Sequence, residues 1–239
     1  MFRNSANLWY RYTYLMTVYN SLINIFHQGE SWQTARHEVL LRAGDRDDHV
    51  YFVAEGILYS YRYGPHGDKI TRTFYGPGDI LPISSLQRIA TVPAYFESLT
   101  SAKLHKLPAS TFQSLTRHNA TASYDLAMQI TDQYTDYVRR VGNLQYTNAY
   151  DRIVYCLLLL SQRFGNAQEN GAIQITVPLT HSLIASTVSV ARETASRCLK
   201  RLAQKNLVCK EAKLLVIIDP GALAAELHDN TLNIDNLID

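Results

Sequence analysis

LTHSLIASTVSVARETASRCLKRLAQKNLV, residues 179–208, decides how the rest of the chain is read. It divides into two short amphipathic segments split by a three-residue turn. In the second, Ala195, Cys198, Leu199 and Leu202 stand at i, i+3, i+4 and i+7, an apolar helical stripe that must face inward. Arg192, Glu193, Ser196, Arg197 and Lys200 then project from the other side, because residues three and four apart stack along a helix. A helix of this size fits the DNA major groove, where Arg donates to guanine O6 and N7 and Glu accepts from cytosine N4. The spacing therefore points to Arg192, Glu193 and Arg197 as base readers. Thr194, Ser196, Lys200 and Arg201 are placed as phosphate anchors, which set register without reading sequence. Residues 192–213 carry seven Lys or Arg against two Glu, whereas the whole chain is only +2. The basic surplus is local, as a nucleic-acid footprint requires.

A solvated surface helix would carry similar charge, so the preceding segment matters. Thr180 is placed to cap a helix HSLIASTV, as well as to meet a phosphate, and Leu183, Ile184 and Val188 can pack back on the second helix. On these residues, and on ARETASRCLKRLAQKNLV (191–208) above all, the chain resembles the Crp/Fnr superfamily of bacterial transcription regulators. The resemblance runs from about Leu22 to about Asp219. It implies that Arg192, Glu193 and Arg197 match the family's base-contacting positions. It also implies a palindromic operator with TGTGA-like half-sites, double-stranded DNA and a second copy of the chain as partners, and RNA polymerase as a further one. Two positions depart from the family pattern: Ala191 stands where relatives usually have Ser or Thr, and Ser189 replaces the common turn Gly.

From Trp32 to Leu107 the pattern changes to short β-branched and aromatic runs separated by Gly, Pro and Asp. HEVLLRAGD (37–45), HVYFVAEGILYSYRY (49–63), KITRTFYGPGDIL (69–81) and AKLHKLP (102–108) read as successive strands of a small antiparallel barrel or roll. GDRDDHVYFVAEGILYSYR followed by FYGPGDI is similar to the cyclic-nucleotide-binding fold. Relatives that bind cyclic AMP use a Gly-Glu-Leu motif and an Arg-Ser or Arg-Ala pair, donors that replace the phosphate's lost hydration. Here Pro82 and Ile83 fall at the Gly-Glu positions, and aligning on AYFESLTSAKLHKLP places Val92 and Pro93 at the Arg pair. Arg88-Ile89-Ala90 resembles that pair only out of register. Cyclic AMP is therefore not expected, although a cyclic-nucleotide-responsive regulator stays open. A different small effector among Tyr59, Tyr61, Tyr75, Tyr95, Pro82 and Ile83 is the candidate pocket; such residues equally fill a core.

Between roll and DNA reader, residues 120–146 read as one long helix. Leu126, Ile130, Gln133, Tyr137, Val141 and Leu144 recur at spacings of four and three, a packing seam that needs a partner. In the family the equivalent helix pairs with its own copy; packing on its own roll is the alternative. A two-fold dimer presents two recognition helices about 34 Å apart, which requires a palindrome. Thr147 to Tyr150 is the candidate hinge. Leu207 to Lys210 and Lys213 to Ile218, joined at Glu211-Ala212, read as a wing whose Lys210 and Lys213 approach the DNA backbone. The expected class is α+β: an extension at 1–21, helical; a β-roll effector domain at 22–119; a dimerisation helix at 120–146; a winged helix-turn-helix at 147–220; and an acidic tail at 221–239, with a short helix.

With 239 residues and 46% hydrophobic content the chain can bury two small cores. Its longest apolar run, Ile153 to Leu160, falls short of the roughly 18 residues that cross a bilayer. Arg3 and Arg11 precede no uninterrupted apolar signal segment, so a cytoplasmic location without membrane contact is expected. Cys156, Cys198 and Cys209 are scattered, which suits reduced thiols rather than an iron–sulfur cluster. No haem or metal signature is present, and no cofactor is expected. No enzyme is expected either: His37-Glu38 begins like a zinc-protease signature, but Leu41 stands at the second histidine. No Gly-x-Ser-x-Gly, Gly-Lys loop or Cys-x-x-Cys occurs. Lone histidines such as His105 and His181 read as surface or structural residues. The competing function class is a ligand-binding sensor that acts through protein contacts, its basic helix merely solvated.

Overall fold

The structure, a computed structural model, describes residues 20–87, 91–145 and 148–227. Four expectations lie outside these residues: the extension before Asn20, the Arg88 register, the hinge at Thr147, and the tail from residue 228 onward. The chain separates into two compact units, and the boundary falls inside one helix, between Asp136 and Tyr137.

The first unit opens with α1 (Asn20–Phe26) and continues into eight strands: β1 (Glu30–Thr34), β2 (Val39–Leu41), β3 (His49–Glu55), β4 (Leu58–Tyr63), β5 (Lys69–Tyr75), β6 (Ile80–Leu81), β7 (Tyr95–Ser98) and β8 (Ala102–Pro108). They form two four-stranded antiparallel sheets, β1-β8-β3-β6 and β2-β7-β4-β5, the expected roll. Strand β3, HVYFVAE, lacks polar alternation because both of its faces are covered. Val50 and Phe52 pack with Leu22, Ile25 and Phe26 of α1 and with Phe112 of α2 (Ala109–Arg117). Tyr51 and Val53 turn the other way, to Leu58, Phe96 and Leu104. The Phe26 ring centroid lies 5.3 Å from that of Phe52 and 5.0 Å from that of Phe112, tying helices to sheet. Gly56 makes the β3–β4 turn at φ 88, and a Cβ there would lie 2.4 Å from the Ser101 carbonyl oxygen.

Helix α3 spans Ala120–Asn143. Leu126 and Gln133, expected in an intermolecular seam, instead face their own roll. Leu126 packs on the α1–α2 core, and Gln133 Nε2 donates to the Ile80 carbonyl at 3.1 Å. The exposed apolar residues along the later turns are Ile130, Tyr134, Tyr137, Val138, Val141 and Leu144, 37 to 65% accessible. The stripe is thus offset from the expected one, and Tyr134 and Val138 belong to it.

The second unit contains α4 (Ala149–Phe164), β9 (Gly165–Ala167), β10 (Ile173–Ile175), α5 (His181–Val188), α6 (Arg192–Gln204), β11 (Val208–Glu211), β12 (Leu214–Ile217) and α7 (Pro220–Ala224). Asn148 caps α4 by accepting from the Asp151 amide at 2.8 Å, so Ala149 and Tyr150 are helical rather than hinge. Ile153, Val154, Leu157 and Leu160 of α4 are buried and supply the unit's core. The wing hairpin β11–β12 turns at Ala212–Lys213, one residue later than expected, with φ of 48 and 71. That is the geometry of a type I′ turn, which matches the twist of the strands although neither residue is Gly or Asn. The β9–β10 hairpin extends the wing into a four-stranded sheet, β11-β12-β10-β9.

Candidate nucleic-acid interface

The interface is assembled by two helix ends. Thr180 Oγ1 accepts from the Leu183 amide at 3.1 Å and starts α5, whose Leu183, Ile184, Ala185 and Val188 are buried. Ser189 closes it in the left-handed region, φ 54 and ψ 54, while the Val190 amide reaches back to the Ala185 carbonyl at 3.0 Å. This is a Schellman-type end, which favours glycine. Ala191 then precedes α6 without any side-chain cap. Ala195, Leu199 and Leu202 are buried, Cys198 is half-buried, and Arg192, Glu193, Arg197 and Lys200 are exposed.

Arg197 Nη2 donates to Thr194 Oγ1 at 3.3 Å, which keeps the guanidinium along its own helix. Among the described residues no carboxylate pairs with Arg192, Arg197, Lys200, Lys210 or Lys213. Lys210 is exposed on β11, and Lys213 is exposed at the wing tip. Thr194 and Ser196 are half-buried on the flanks of α6.

Arg201 is the exception among the expected phosphate anchors. Its guanidinium lies 4.3 Å from the Tyr150 ring centroid, a cation–π contact with the start of α4. Tyr150 Oη in turn donates to Glu226 at 2.6 Å, and Glu226 pairs with Lys205. Burial and the Glu226 carboxylate push the Tyr150 hydroxyl far above its ordinary range, so it remains a donor. The far end of α6 is thereby fastened to α4, and Arg201 acts in that fastening.

The expected effector residues do not line one pocket, because strand alternation sends them to opposite faces. Tyr59, Tyr61 and Tyr95 share one face, Tyr61 stacked 5.2 Å from both others, with Lys69 4.1 Å over the Tyr61 ring and 3.0 Å from Glu97. Tyr75 pairs with Leu58 and lies in the core with Phe96, 5.7 Å between ring centroids. Ile83 packs against the α1–α2 core, and Pro82 is buried. The Asp47-Asp48-His49 turn gathers three possible ligand atoms within 4.8 Å, a group absent from the sequence expectations. It is internally satisfied, since His49 Nδ1 and Tyr51 Oη take the two oxygens of Asp47 at 2.8 Å each.

Residues 32–119 match the cyclic nucleotide-binding domain, and residues 151–226 match the Crp-like helix-turn-helix domain. The chain belongs to the Crp/Fnr superfamily. It is a transcription regulator of that type, with a helix-turn-helix domain and a cyclic-nucleotide-binding-like roll. It is 25% identical over 189 residues to the CRP-like cAMP-activated global transcriptional regulator of Mycobacterium tuberculosis, covering 79% of this chain and 84% of that one. Over 188 residues it is 26% identical to the transcriptional activator protein Anr of Pseudomonas protegens, covering 79% and 76%. A CRP-family regulator from Thermus thermophilus shares the fold at a TM-score of 0.70 and 23% identity, over 83% of this chain and 97% of that one. FixK2 of Bradyrhizobium japonicum does so at 0.70 and 17%, over 82% and 96%. No helix among the described residues is long and apolar enough to cross a membrane.

Proposed function

We propose that this regulator binds a palindromic, TGTGA-like operator as a homodimer, with Arg192, Glu193 and Arg197 reading base edges. One observation carries the reading: these side chains are exposed on α6, its opposite face is core, and no carboxylate among the described residues neutralises the two arginines. Thr180, Thr194, Ser196, Lys200, Lys210 and Lys213 are the backbone contacts. The offset stripe on α3 is the dimer seam, since five exposed apolar residues on one helix, with Leu144 just past its end, favour burial against a second copy. RNA polymerase is the partner through which DNA binding acts on transcription, and the cytoplasm is where the protein works.

The roll of this chain does not fit cyclic AMP. A cyclic phosphate needs donors, yet the Val92 amide is already bonded to the Asp45 carbonyl at 2.9 Å and Pro93 has no N–H. Pro82 and Ile83 offer no carboxylate for a ribose. The regulator therefore works without cyclic AMP, through another effector or none.

Selection of bound DNA from a random pool tests the proposal. An enriched inverted repeat is expected, with affinity falling steeply between about 50 and 200 mM salt as phosphate contacts are screened. Arg192→Ala should relax base preference at one position, whereas Lys200→Ala should weaken all sequences alike. Recovery of no repeat by folded protein would favour the sensor that acts through protein contacts.

A further inference from the structure

Arg192, Glu193 and Arg197 stand on the first turns of α6, yet that end of the helix has no side-chain cap. Its inward face is held by Ala195, Leu199 and Leu202, and apolar burial resists separation without fixing an angle. Directional contacts gather at the opposite end, and they meet on one residue. The Tyr150 ring, 7% exposed at the start of α4, lies 4.3 Å from the Arg201 guanidinium. Its hydroxyl donates to Glu226 at 2.6 Å, and the same Glu226 oxygen accepts from Lys205, the residue that follows α6. The end of α6, the start of α4 and the segment after α7 thus close on a single tyrosine.

We infer that Tyr150 is a positioning residue for DNA recognition: through Arg201 and Glu226 it sets the angle at which α6 presents its base readers, without itself touching DNA. The inference rests on the DNA-binding reading above and adds a residue to it. Arg201 stands nine residues after Arg192, about 13 Å along the axis at about 1.5 Å per residue. A tilt of about 10° at the Tyr150 end therefore carries the Arg192 backbone about 2 Å, several times the spread of hydrogen-bond lengths. Contacts to base edges fail under such a shift, whereas contacts to a repeating backbone find another phosphate. Arg201 then serves specificity from inside the fold, where its sequence position alone suggests a phosphate anchor.

The test measures binding of the full chain to the duplex recovered by selection and to an unrelated duplex, each over a salt series, alongside melting curves. Tyr150→Leu and Arg201→Ala should each lower the ratio of operator to unrelated affinity by about tenfold, the equivalent of one base contact. Binding to the unrelated duplex and the slope against log salt should stay at wild-type values, because no phosphate contact is removed. The double variant should lose no more than either single change, since both break one contact. Tyr150→Phe keeps the ring beneath Arg201 and gives up only the hydroxyl; it should fold and lower the same ratio about threefold, so it carries the test if the Leu variant fails to fold. A salt slope reduced by about one in Arg201→Ala would make Arg201 a phosphate anchor and overturn the inference. A lower melting point with the ratio unchanged in Tyr150→Phe and Arg201→Ala, the mark of a structural contact alone, would overturn it equally. Absence of any preferred duplex for folded wild type would instead overturn the DNA-binding reading itself.

Discussion

Lys69 of the roll and Arg192 of the DNA-facing unit are both accessible cations, and their surroundings are opposite. The Lys69 side chain is 40% exposed, yet its ammonium is answered inside the fold by Glu97 at 3.0 Å, Tyr59 Oη at 3.3 Å and the Tyr61 ring. Arg192 is exposed with no carboxylate paired to it among the described residues. Exposure alone does not separate a structural cation from one reserved for a ligand; provision of a counterion does. The same division runs along α6 itself, where Arg201 and Lys205 are held by Tyr150 and Glu226 while Arg192, Arg197 and Lys200 are not.

The largest test of this contrast removes the unanswered cations. Arg192→Ala combined with Arg197→Ala should remove about 2–6 kcal/mol of operator discrimination, as each well-made base contact is worth about 1–3 kcal/mol. Thermal stability should hold within about 0.5 kcal/mol, as for surface changes generally. Binding isotherms and melting curves of one preparation check both halves. Glu97→Ala should do the reverse, lowering stability by about 1–2 kcal/mol because Lys69 loses its partner at a partly solvated site, with operator affinity unchanged.

Ser189→Gly should raise stability by about 1 kcal/mol in a denaturant titration, since glycine reaches the left-handed region without the Cβ clash. The smallest effect is expected at Glu226→Gln, under about 1 kcal/mol near neutral pH. Lys205 and Tyr150 hold the Glu226 carboxyl below its usual range. Its contribution is therefore present above the unfolded value near 4.3 and fades as pH falls through the folded one. Melts of wild type and variant should converge in acid.

The second unit was legible where a helical period met a sharp end. Ala195, Leu199 and Leu202 repeat at one face, and Thr180 marks a start, so α5 and α6 could be placed from residue types alone. Strand β1 and the β9–β10 hairpin escaped notice because ESWQT and GNA carry no apolar alternation; their pairing to β8 and β10 is what makes them strands. On α3 a repeat of three and four cannot tell its own roll from a second copy. Leu126 is taken up by the α1–α2 core and Gln133 by the Ile80 carbonyl, whereas Tyr134 and Val138 are left exposed, a division that spacing alone does not carry. The contact of Arg201 with Tyr150 was not legible because charge pattern is local, and Tyr150 comes from another helix. The tyrosine pocket failed for the same reason: composition counts aromatic rings but not the face of the strand that each one occupies.

The wing is braced from behind. Strand β12 is hydrogen-bonded to β11 on one side and to β10 on the other. In the proposed complex Lys210 and Lys213 are therefore presented from a stiff platform and surrender little backbone freedom. Such preorganisation lengthens residence on the operator more than it hastens arrival, because rigid contacts act chiefly on the rate of departure.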